Sequence, residues 1–511
     1  MMLATETKIL TLDELSAKAK EYRDAGQKVV LCHGAFDLLH AGHIRYLKTA
    51  RNEGDVLLVT VTADEFVNKG PGRPVFSEDL RAENLGYLSF VDYVAINYEP
   101  TAVSLLSEVQ PHVYVKGPDY KQMKDDITGN IYSEKKAVEA HGGKLVFTDD
   151  ITLSSTSLLN EHFGVFPPET KTYLQNFRQK HSSEEVIKMI QSLKNLNVLV
   201  VGDAIVDEYH YVDTLGQSSK GANLAVKFKS LEQFAGGSLA VANHLSGFVK
   251  NVTVVAGLGK LCSHEEFIRS KLEENVTLEP FYFEDAPTIV KRRYVDGDLL
   301  KLFEVYFYND EPSQENIDPQ VCSWLKKNTE QFDVVIVPDF GNGFISTNMI
   351  QKICDKARFL AINTQVNSGN RGYHSINRYP RADFVSLNGP ELRIATHNRH
   401  DSYENLAKKL IEKIGAKHFA VTLGSDGALL LDKRPEVTHK TPILSTKVLD
   451  RIGAGDTFLS LAGLCLGGGL PSDVSLFVGS AAAALDVQTV CNRDPVIPVN
   501  LYKYINTLLK S

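Results

Sequence analysis

The 511-residue sequence predicts an α/β protein with more than one domain, and three observations support this prediction. Short apolar runs alternate with helical patterns along most of the chain, which is typical of sheets covered by helices. Two small-residue turns, at residues 33–43 and 450–456, each lead into an apolar helical pattern. The chain is also longer than one hydrophobic core usually organises.

The composition is that of an ordinary globular protein, with 43% apolar and 23% charged residues. A net charge of −8 gives no basic footprint, so we expect no binding to nucleic acid. No run of about 18 apolar residues and no leader-like N-terminus are visible. Six cysteines without CxxC spacing indicate reduced thiols. We therefore expect a cytoplasmic protein that does not bind membranes.

Residues 450–458 combine a phosphate cradle with a carboxylate. Gly453, Ala454 and Gly455 carry little or no side chain, so their backbone N–H groups can close on an anion at a helix N-terminus. Asp456 follows in the first turn. It can accept the proton of an attacking hydroxyl while the N–H groups and a metal stabilise a transferred phosphoryl group. A glycine-rich helix start with a capping aspartate is the structural alternative.

This segment resembles the GAGD signature of the PfkB/ribokinase family of sugar kinases, whose aspartate is the catalytic base. Further segments resemble the same family in the same order. The resemblance implies a ribokinase-like doubly wound sheet with a small β lid, ATP and Mg²⁺ as ligands, and a homodimer formed through the lid. The implied anion-hole and ATP-binding residues are Gly453, Ala454, Gly455, Asn388, Glu391, Thr422, Gly424 and Gly427. The implied sugar-binding residues are Asp207, Gly236, Gly237 and Asn243. Glu391 and Asp450 are the implied metal ligands, Asp450 for a monovalent cation such as K⁺.

A second constellation follows the apolar run at residues 29–32. His40 and His43 bracket Gly42 at a strand-to-helix turn, where open α/β sheets bind nucleotides. A pair of zinc ligands is the rival interpretation, but no third ligand at metal spacing is visible.

The pattern GxFDxxHxGH at residues 34–43 resembles the cytidylyltransferase-like nucleotidyltransferases, which implies a Rossmann-like N-terminal domain. In that family the two imidazoles stabilise charge on the α-phosphate during in-line attack. Residues 69–75, 115–120 and 154–157 resemble segments of the adenylyltransferase half of the bifunctional heptose 7-phosphate kinase/heptose 1-phosphate adenylyltransferases. By that match Lys69 is a catalytic cation beside His40 and His43. The implied nucleotide-binding residues are Gly34, Ala35, Phe36, Asp37, Lys116, Gly117, Asp119, Ser155 and Thr156.

Two departures from that family leave the base and sugar preference open. Cys32 and His33 stand where a Thr-Asn pair is usual, and the segment at residues 125–139 is longer. ATP and CTP both remain candidate substrates of the transferase.

We expect a nucleotidyltransferase domain over residues 1–163, a linker over 164–196 and a kinase domain over 197–511. Pro167 and Pro168 punctuate the junction, and residues 182–185 have the spacing of a capping box, so the linker should be helical and packed. Residues 198–203 predict a strand with a turn. Patches of alternating residues predict lid strands near 209–234 and 288–307.

Three consecutive cations lie on a presumed lid strand. Alternation places Lys291 and Arg293 on one face and Arg292 on the other. If the first face looks inward, the pair could bind the terminal phosphate of a phosphorylated sugar. Solvated charge on an outer face is the alternative, because Lys and Arg are usually exposed.

Together the resemblances predict a bifunctional enzyme. The kinase would phosphorylate a sugar, such as a heptose 7-phosphate, at the anomeric hydroxyl, and the transferase would add AMP or CMP to the product. The transferase precedes the kinase, which reverses the order in the heptose enzymes. Three alternatives remain: a coenzyme-making kinase/adenylyltransferase pair, a non-catalytic nucleotide or sugar sensor, and two enzymes with unrelated substrates.

Overall fold

The computed structural model describes residues 8–67, 73–117, 130–148, 166–219, 221–370 and 372–510. Contacts divide the chain into two compact units. The first contains the residues up to Pro167 together with those from Tyr502 onward, and the second is Pro168–Leu501. None of the helices in these described ranges has both the length and the apolar character needed to cross a membrane.

In the first unit the described strands form one six-stranded, wholly parallel sheet. Its strands are β1 (Ile9–Leu10), β2 (Val29–Gly34), β3 (Val56–Thr62), β4 (Tyr93–Asn97), β5 (Val113–Lys116) and β6 (Lys144–Phe147). Its helices are α1 (Leu12–Asp24), α2 (Ala41–Arg51), α3 (Glu78–Gly86), α4 (Val103–Val109) and α5 (Asn130–Glu139). The strand order is β1-β4-β3-β2-β5-β6.

Strand β2 shows why its sequence is apolar without alternation. Val30 and Cys32 belong to one buried cluster, whereas Val29 and Leu31 belong to another. Because successive side chains point to opposite faces, both faces of this sheet are covered. The strand ends at Gly34, and α2 begins at Ala41 after the turn at residues 35–40.

In the second unit the described strands form a twelve-stranded sheet with a lid. The strands are β7 (Asn197–Gln217), β8 (Leu224–Gly237), β9 (Asn251–Gly259), β10 (Val276–Phe283), β11 (Ile289–Val295), β12 (Lys301–Phe307), β13 (Val334–Asp339), β14 (Leu360–Thr364), β15 (Phe384–Asn388), β16 (His418–Thr422), β17 (Ala428–Asp432) and β18 (Val437–Thr441). The helices are α6 (Pro168–Arg178), α7 (Ser183–Gln191), α8 (Ser238–Ser246), α9 (Glu265–Ser270), α10 (Ile317–Asn328), α11 (Thr347–Lys356), α12 (Gly389–Thr396), α13 (Tyr403–Ile414), α14 (Ala454–Gly467) and α15 (Ser472–Asp486), followed by α16 (Pro498–Leu509) at the division between the units.

The main body of this sheet has the order β10-β9-β7-β13-β14-β15-β16-β17-β18. It is parallel from β10 to β16, and β17 and β18 extend it in antiparallel fashion. The predicted α/β class, with a doubly wound sheet and a small β lid, is confirmed.

Strand β7 belongs to both the main sheet and the lid. Residues 197–203 pair with β9 and β13, and the strand then continues beside β8 and β11. The turn expected after Asp203 is absent from this described segment, because Ala204 pairs directly with Gly237 and Ile205 with Ile289. The lid is therefore a direct extension of a core strand.

Helices α6 and α7 belong to the second unit, where a separate linker was expected. Phe177 stacks on Phe477 with ring centroids 4.3 Å apart, and His181 lies 2.9 Å from Asp473. The predicted capping box at the start of α7 is present, with Ser182 and Glu185 bonding reciprocally. These helices are as packed as the sequence predicts, but they form part of the unit that follows them.

Candidate functional site

A cavity of about 610 Å³ in the second unit brings together predicted residues from six separate stretches of sequence. It is bounded by the lid strands, the turn after β16, the start of α12 and the start of α14. The predicted residues on its wall are Asp207, Gly237, Lys291, Arg293, Asn388, Thr422, Gly424, Gly453, Gly455 and Asp456.

The predicted anion cradle is the N-terminus of α14. Gly453 has a φ of +97°, a conformation that favours glycine, and α14 begins at the next residue. A Cβ at Gly453 would also come within 2.5 Å of Asn492 Oδ1. The fourteen-residue apolar helix thus opens onto the cavity, and its first-turn N–H groups have no intrahelical partner, which suits a phosphate.

Asp456 lies in the first turn of α14, only 8% exposed, and lines the cavity. Burial raises its pKa to about 7. The charges of Asp207 and Glu391 add to the shift, whereas Lys291 opposes it. A carboxylate with a pKa near neutral can accept a proton and release it at physiological pH, as a general base requires.

Glu391 does not have the direct metal-ligand geometry that the sequence suggested. Its carboxylate accepts hydrogen bonds from Asn388 N at 2.8 Å and from Val366 N at 3.3 Å, and it does not line the cavity. Asn388 in turn caps Glu391 N at 2.8 Å. Burial raises the pKa of Glu391 to about 7. The pair orders the start of α12, and the described residues contain no cluster of three His, Cys, Asp or Glu side chains able to hold a metal.

Asp450, predicted as a monovalent-cation ligand, is held by other groups of the protein. Its carboxylate accepts from the Tyr209 hydroxyl at 2.6 Å, from Lys301 Nζ at 3.2 Å and from Cys491 N at 3.2 Å. Burial opposes the shift, but Tyr209 and Lys301 hold its pKa below the ordinary value. Asp450 is thus paired with a lysine ammonium and anchors the cradle loop, and its binding of a monovalent cation stays a prediction.

At the lid end of the cavity, Asp207 and Arg293 form a buried ion pair. Arg293 Nε also donates to Glu304 at 3.0 Å. Burial alone would lower the pKa of Arg293, but the Asp207 charge raises it above the ordinary value. Gly236 lies behind the wall, and a Cβ there would come within 2.0 Å of Asp207 Oδ2. This glycine therefore makes room for the Asp207 carboxylate.

Lys291 lies on the same cavity-facing side of β11 as Arg293, as alternation predicts. Arg292 points to the other face, where its Nε lies 2.7 Å from Glu208. Lys291 is 7% exposed, and within the described residues it makes no ion pair. Its ammonium lies 5.7 Å from the Tyr306 ring centroid, and burial lowers its pKa. It is a buried cation positioned to meet an anionic ligand.

Asn243, predicted to bind the sugar, does not line this cavity, and its sugar contact stays a prediction. Its Nδ2 donates to Lys271 O at 2.8 Å and its Oδ1 accepts from Glu273 N at 3.2 Å. The side chain ties α8 to the segment after α9 and faces a separate cavity of about 250 Å³. Two other predicted residues, Ala454 and Gly427, also stand behind the wall; a Cβ at Gly427 would meet Thr441 O at 2.0 Å.

Sequence reasoning did not single out several residues of the wall. Some stand beside motif residues, and others come from strand β7, from the starts of helices α12 and α13 or from loops, so only the closed fold shows that they converge. Arg451 carried a usable signal, since a cation directly before the cradle is conspicuous, whereas Tyr403 did not. The missed residues are Ile205, Phe340, Gln365, Gly389, Pro390, Tyr403, Leu423, Asp426, Arg451, Ile452 and Asn492.

Asp486 is a further missed residue, buried beneath the cradle at the end of α15. A Cβ at Gly453 would approach its Oδ2 to 3.0 Å. Burial raises the pKa of Asp486 well above its ordinary value, and the charges of Asp456 and Asp450 add repulsion. These effects favour the protonated carboxyl group beneath the cradle.

In the first unit the two motif histidines stack at the start of α2. Their ring centroids are 4.0 Å apart with an interplanar angle of 18°. His40 is the N-cap of α2, and its Nδ1 accepts from Gly42 N at 3.0 Å. His43 also packs edge-on against Phe36, with centroids 5.4 Å apart. The motif therefore builds a fixed imidazole pair at a helix N-terminus, next to the end of β2.

The residues before the histidines shape this turn. Phe36 has a φ of +46°, and its ring lies so close to Gly34 that a Cβ there would approach it to 3.3 Å. Asp37 was predicted to bind nucleotide, but it is 1% exposed and accepts from Val75 N at 2.6 Å beside Arg73 at 3.3 Å. It holds the segment at 73–76 in place. Ala35 contributes its carbonyl, which accepts from Arg81 Nη1 at 2.6 Å.

Lys116 ends β5, which lies beside β2 in the sheet. Its ammonium lies 2.9 Å from Glu134, and both side chains are about nine-tenths buried. His33, at the end of β2, contacts Thr60 Oγ1 at 2.9 Å, and burial lowers its pKa to about 3, so it is neutral. Gly117 follows Lys116, and within the described ranges no atom lies within 4 Å of the position that a Cβ would take there. The predicted Lys69, Asp119, Ser155 and Thr156 lie outside the described residues.

Comparison with known proteins links both units to families. A family model described as pfkB family carbohydrate kinase matches residues 195–498, more than half of the chain. A second, described as cytidylyltransferase-like, matches residues 31–189.

Two relatives named Bifunctional protein HldE illustrate the similarity. The one from Methylobacillus flagellatus is 39% identical over 156 residues, 30% of this chain and 30% of the relative. The one from Ectopseudomonas mendocina is 40% identical over 159 residues, 31% of this chain and 32% of the relative. The matched part spans about a third of each relative.

Among solved structures, Arabidopsis thaliana ribokinase complexed with ribose and ATP has 20% identity and a TM-score of 0.48, covering 62% of this chain and 99% of its own. Escherichia coli phosphofructokinase-2 in complex with fructose-6-phosphate has 15% identity and a TM-score of 0.49, covering 61% and 98%.

Proposed function

Since the chain belongs to the pfkB family of carbohydrate kinases, we propose that its second unit phosphorylates a sugar with ATP and that its first unit then transfers a nucleotidyl group to the sugar phosphate. One observation carries the first half of this proposal. A buried carboxylate, Asp456, lies where a helix N-terminus and a set of sugar-binding candidates meet in one cavity. The stacked pair of His40 and His43 carries the second half.

The kinase reaction follows from the cavity. A sugar hydroxyl held near Asp207 attacks the γ-phosphorus of ATP, the bond to the β,γ-bridging oxygen breaks, and ADP leaves. The hydroxyl proton passes to Asp456, which must be ionised to receive it. Backbone N–H groups of Gly453 and Gly455 stabilise the charge on the transferred group.

Magnesium would enter with the nucleotide and neutralise charge on its phosphates. Asp456 on the cavity wall and Glu391 behind it suit a hard cation, because both side chains offer only oxygen and the Glu391 charge contributes to the raised pKa of Asp456. These two carboxylates would hold the ion through its water shell, since Mg²⁺ usually keeps several waters.

The transferase reaction uses the phosphate that the kinase installs. A phosphate oxygen of the sugar phosphate attacks the α-phosphorus of a nucleoside triphosphate, and pyrophosphate leaves with the bonding electrons. His40 and His43 stabilise the charge that develops on the α-phosphate, and Lys116 and Lys69 supply positive charge. We propose ATP as the nucleotide donor, with CTP as the second candidate.

For the sugar we propose a heptose 7-phosphate or a similar sugar that already carries a phosphate. The support is Lys291, a buried cation on the cavity wall without an ion pair in the described residues. Arg293 is paired with Asp207 and Glu304. Of the two cations predicted to bind the terminal phosphate, we therefore assign this role to Lys291 alone. We place the enzyme in the cytoplasm, where ATP and sugar phosphates are available.

We further propose that the chain forms a homodimer through the outer face of the lid. Phe303, Val305 and Phe307 alternate with the inward residues of β12 and are 41%, 38% and 41% exposed. An exposed apolar stripe on a sheet is a typical protein interface.

The test of the two-site proposal is a pair of reciprocal variants. Asp456→Asn should lower ATP-dependent sugar phosphorylation by about two to four decades, the usual contribution of a positioned base, and leave nucleotidyl transfer to a supplied sugar 1-phosphate intact. His43→Ala should abolish pyrophosphate release while sugar phosphorylation continues. Loss of both activities in either folded variant would contradict two separate sites.

A further inference from the structure

Arg451 is presented to the kinase cavity from a fixed point of the backbone. On one side Asp450 is anchored by Tyr209 and Lys301, and on the other Gly453 leads into α14. Arg451 lies two residues before Gly453 and lines the cavity. Two residues of chain span at most about 7 Å, so a side chain as long as arginine can extend to a phosphate held in the cradle.

Arg451 is also available for a ligand. It is exposed, and no hydrogen bond or ion pair to it is present in the part of the chain that the structure describes. The adjacent carboxylate, Asp450, is already paired with Lys301. Arg293 on the same cavity is likewise occupied, by Asp207 and Glu304.

Among the described residues of the wall, two cations have no ion-pair partner, and they belong to different elements of the fold. Lys291 lies on lid strand β11, close enough to Asp207 and Asp456 for their charges to act on it. Arg451 lies beside the cradle, which offers a phosphate only uncharged N–H groups. A guanidinium matches the geometry of phosphate oxygens with two parallel hydrogen bonds. The positions therefore suit a nucleotide phosphate chain at Arg451 and the sugar at Lys291.

We propose that Arg451 is a catalytic residue that binds the phosphate chain of the nucleotide in the kinase site. This inference rests on the proposed kinase function. As the bond between the γ-phosphorus and the bridging oxygen breaks, negative charge accumulates on the departing ADP, and the guanidinium stabilises it from within the same chain. Asp456 takes the proton, so Arg451 exchanges none.

The test compares Arg451→Gln and Arg451→Lys with Arg399→Gln, which makes the same charge change at an exposed position outside the cavity. Steady-state kinetics of sugar phosphorylation are measured with ATP and sugar varied separately. Arg451→Gln should lower kcat/KM for ATP by about 100-fold, the usual loss when one charge-stabilising donor is removed, with the sugar KM changed less than twofold. Arg451→Lys should retain part of the activity, and Arg399→Gln all of it.

A binding measurement separates this inference from the kinase proposal. Hydrogen exchange of the peptide spanning residues 450–467 is titrated with the non-hydrolysable ATP analogue AMP-PNP, which reports nucleotide at this site alone. Arg451→Gln should raise the midpoint of protection about tenfold, even if the unmodified chain phosphorylates no sugar tested. An unchanged midpoint with kinetics equal to those of Arg399→Gln, or an effect confined to the sugar KM, would overturn the role of Arg451.

Discussion

At Asp456, the burial that excludes water from the cavity also raises the cost of carrying a negative charge. The sequence predicts the acid and its small neighbours, because both lie within four consecutive residues. It cannot predict that Asp207 and Glu391 lie close enough to raise the pKa of Asp456, since they are far apart in the chain. Nor can it predict that Lys301 pairs with Asp450. The charge and pKa of each motif residue thus depend on residues that are distant in the sequence and close in the fold.

The raised pKa of Asp456 predicts the pH dependence of the kinase. Only the ionised carboxylate accepts a proton, so kcat/KM for sugar phosphorylation should fall tenfold per pH unit below about pH 7 and level off above it. A pH profile of kcat/KM checks this. A profile that stays flat from pH 5.5 to 8 would contradict the assignment of Asp456 as base.

The same shift predicts that Asp456→Asn stabilises the second unit at neutral pH. In the unfolded chain the carboxyl ionises near its ordinary pKa of 3.8, whereas in the folded chain the pKa is about 7. Between these values the unfolded state binds fewer protons, so the free energy of unfolding falls as pH rises. Asp456→Asn removes this penalty, worth about 1–4 kcal/mol above pH 7.

Urea unfolding of Asp456→Asn and of the parent chain at pH 8 and pH 5.5 measures the effect. The gain should be larger at pH 8, and Asp426→Asn, a change at an exposed acid on the same cavity, should show no such gain. Equal stability of Asp456→Asn and the parent at pH 8 would mean that Asp456 carries its charge without cost.

At the scale of elements, lid strand β11 shows what the alternation of side chains along a strand can predict and what it cannot. Alternation separates Lys291 and Arg293 from Arg292 without any knowledge of the fold, and the structure places them on opposite faces as predicted. The register between β11 and β12 determines which of these cations faces an acid, because Arg293 stands opposite Glu304 and Lys291 stands opposite Tyr306. Pairing across strands, which the sequence does not specify, neutralises Arg293 and leaves Lys291 without an ion pair among the described residues.

This arrangement predicts unequal effects along β11. Lys291→Ala should raise the KM for a phosphorylated sugar about tenfold or more, through loss of a charge-assisted contact, with the KM for ATP unchanged. Arg292→Ala, on the opposite face, is the matched control and should leave both values unchanged. Equal catalytic efficiency of the parent enzyme on phosphorylated and unphosphorylated sugar would remove Lys291 as a phosphate ligand.

The outer face of the lid predicts the oligomeric state. Combined Phe303→Lys and Val305→Lys substitutions should convert a dimer into a monomer, because they place charges in an apolar interface. Sedimentation velocity at several protein concentrations measures the change, and Val437→Lys, at a similarly exposed site on β18, is the control. A parent chain that sediments as a monomer at all concentrations would contradict the lid interface.

At the scale of the whole molecule, two units with different chemistry share one chain. The cytidylyltransferase-like region comes first and the kinase region second. Runs of apolar residues predicted the α/β class, because parallel strands covered on both faces need such runs. The two family resemblances predicted the division into two units. Where each unit ends was harder to predict. Helices α6 and α7 have the polar outer faces of a linker, yet Phe177 and His181 bind them to the second unit.

The central claim is that both reactions act on one sugar in sequence. Mass spectrometry of products tests it most directly, with the unmodified chain incubated with a panel of sugars and sugar phosphates, including a heptose 7-phosphate, ATP and each nucleoside triphosphate in turn. We predict that one sugar gains a phosphate and that the same sugar phosphate then gains a nucleotidyl group with release of pyrophosphate. A sugar phosphate that accumulates unchanged with every nucleoside triphosphate, or a panel in which no sugar is phosphorylated, would contradict the claim.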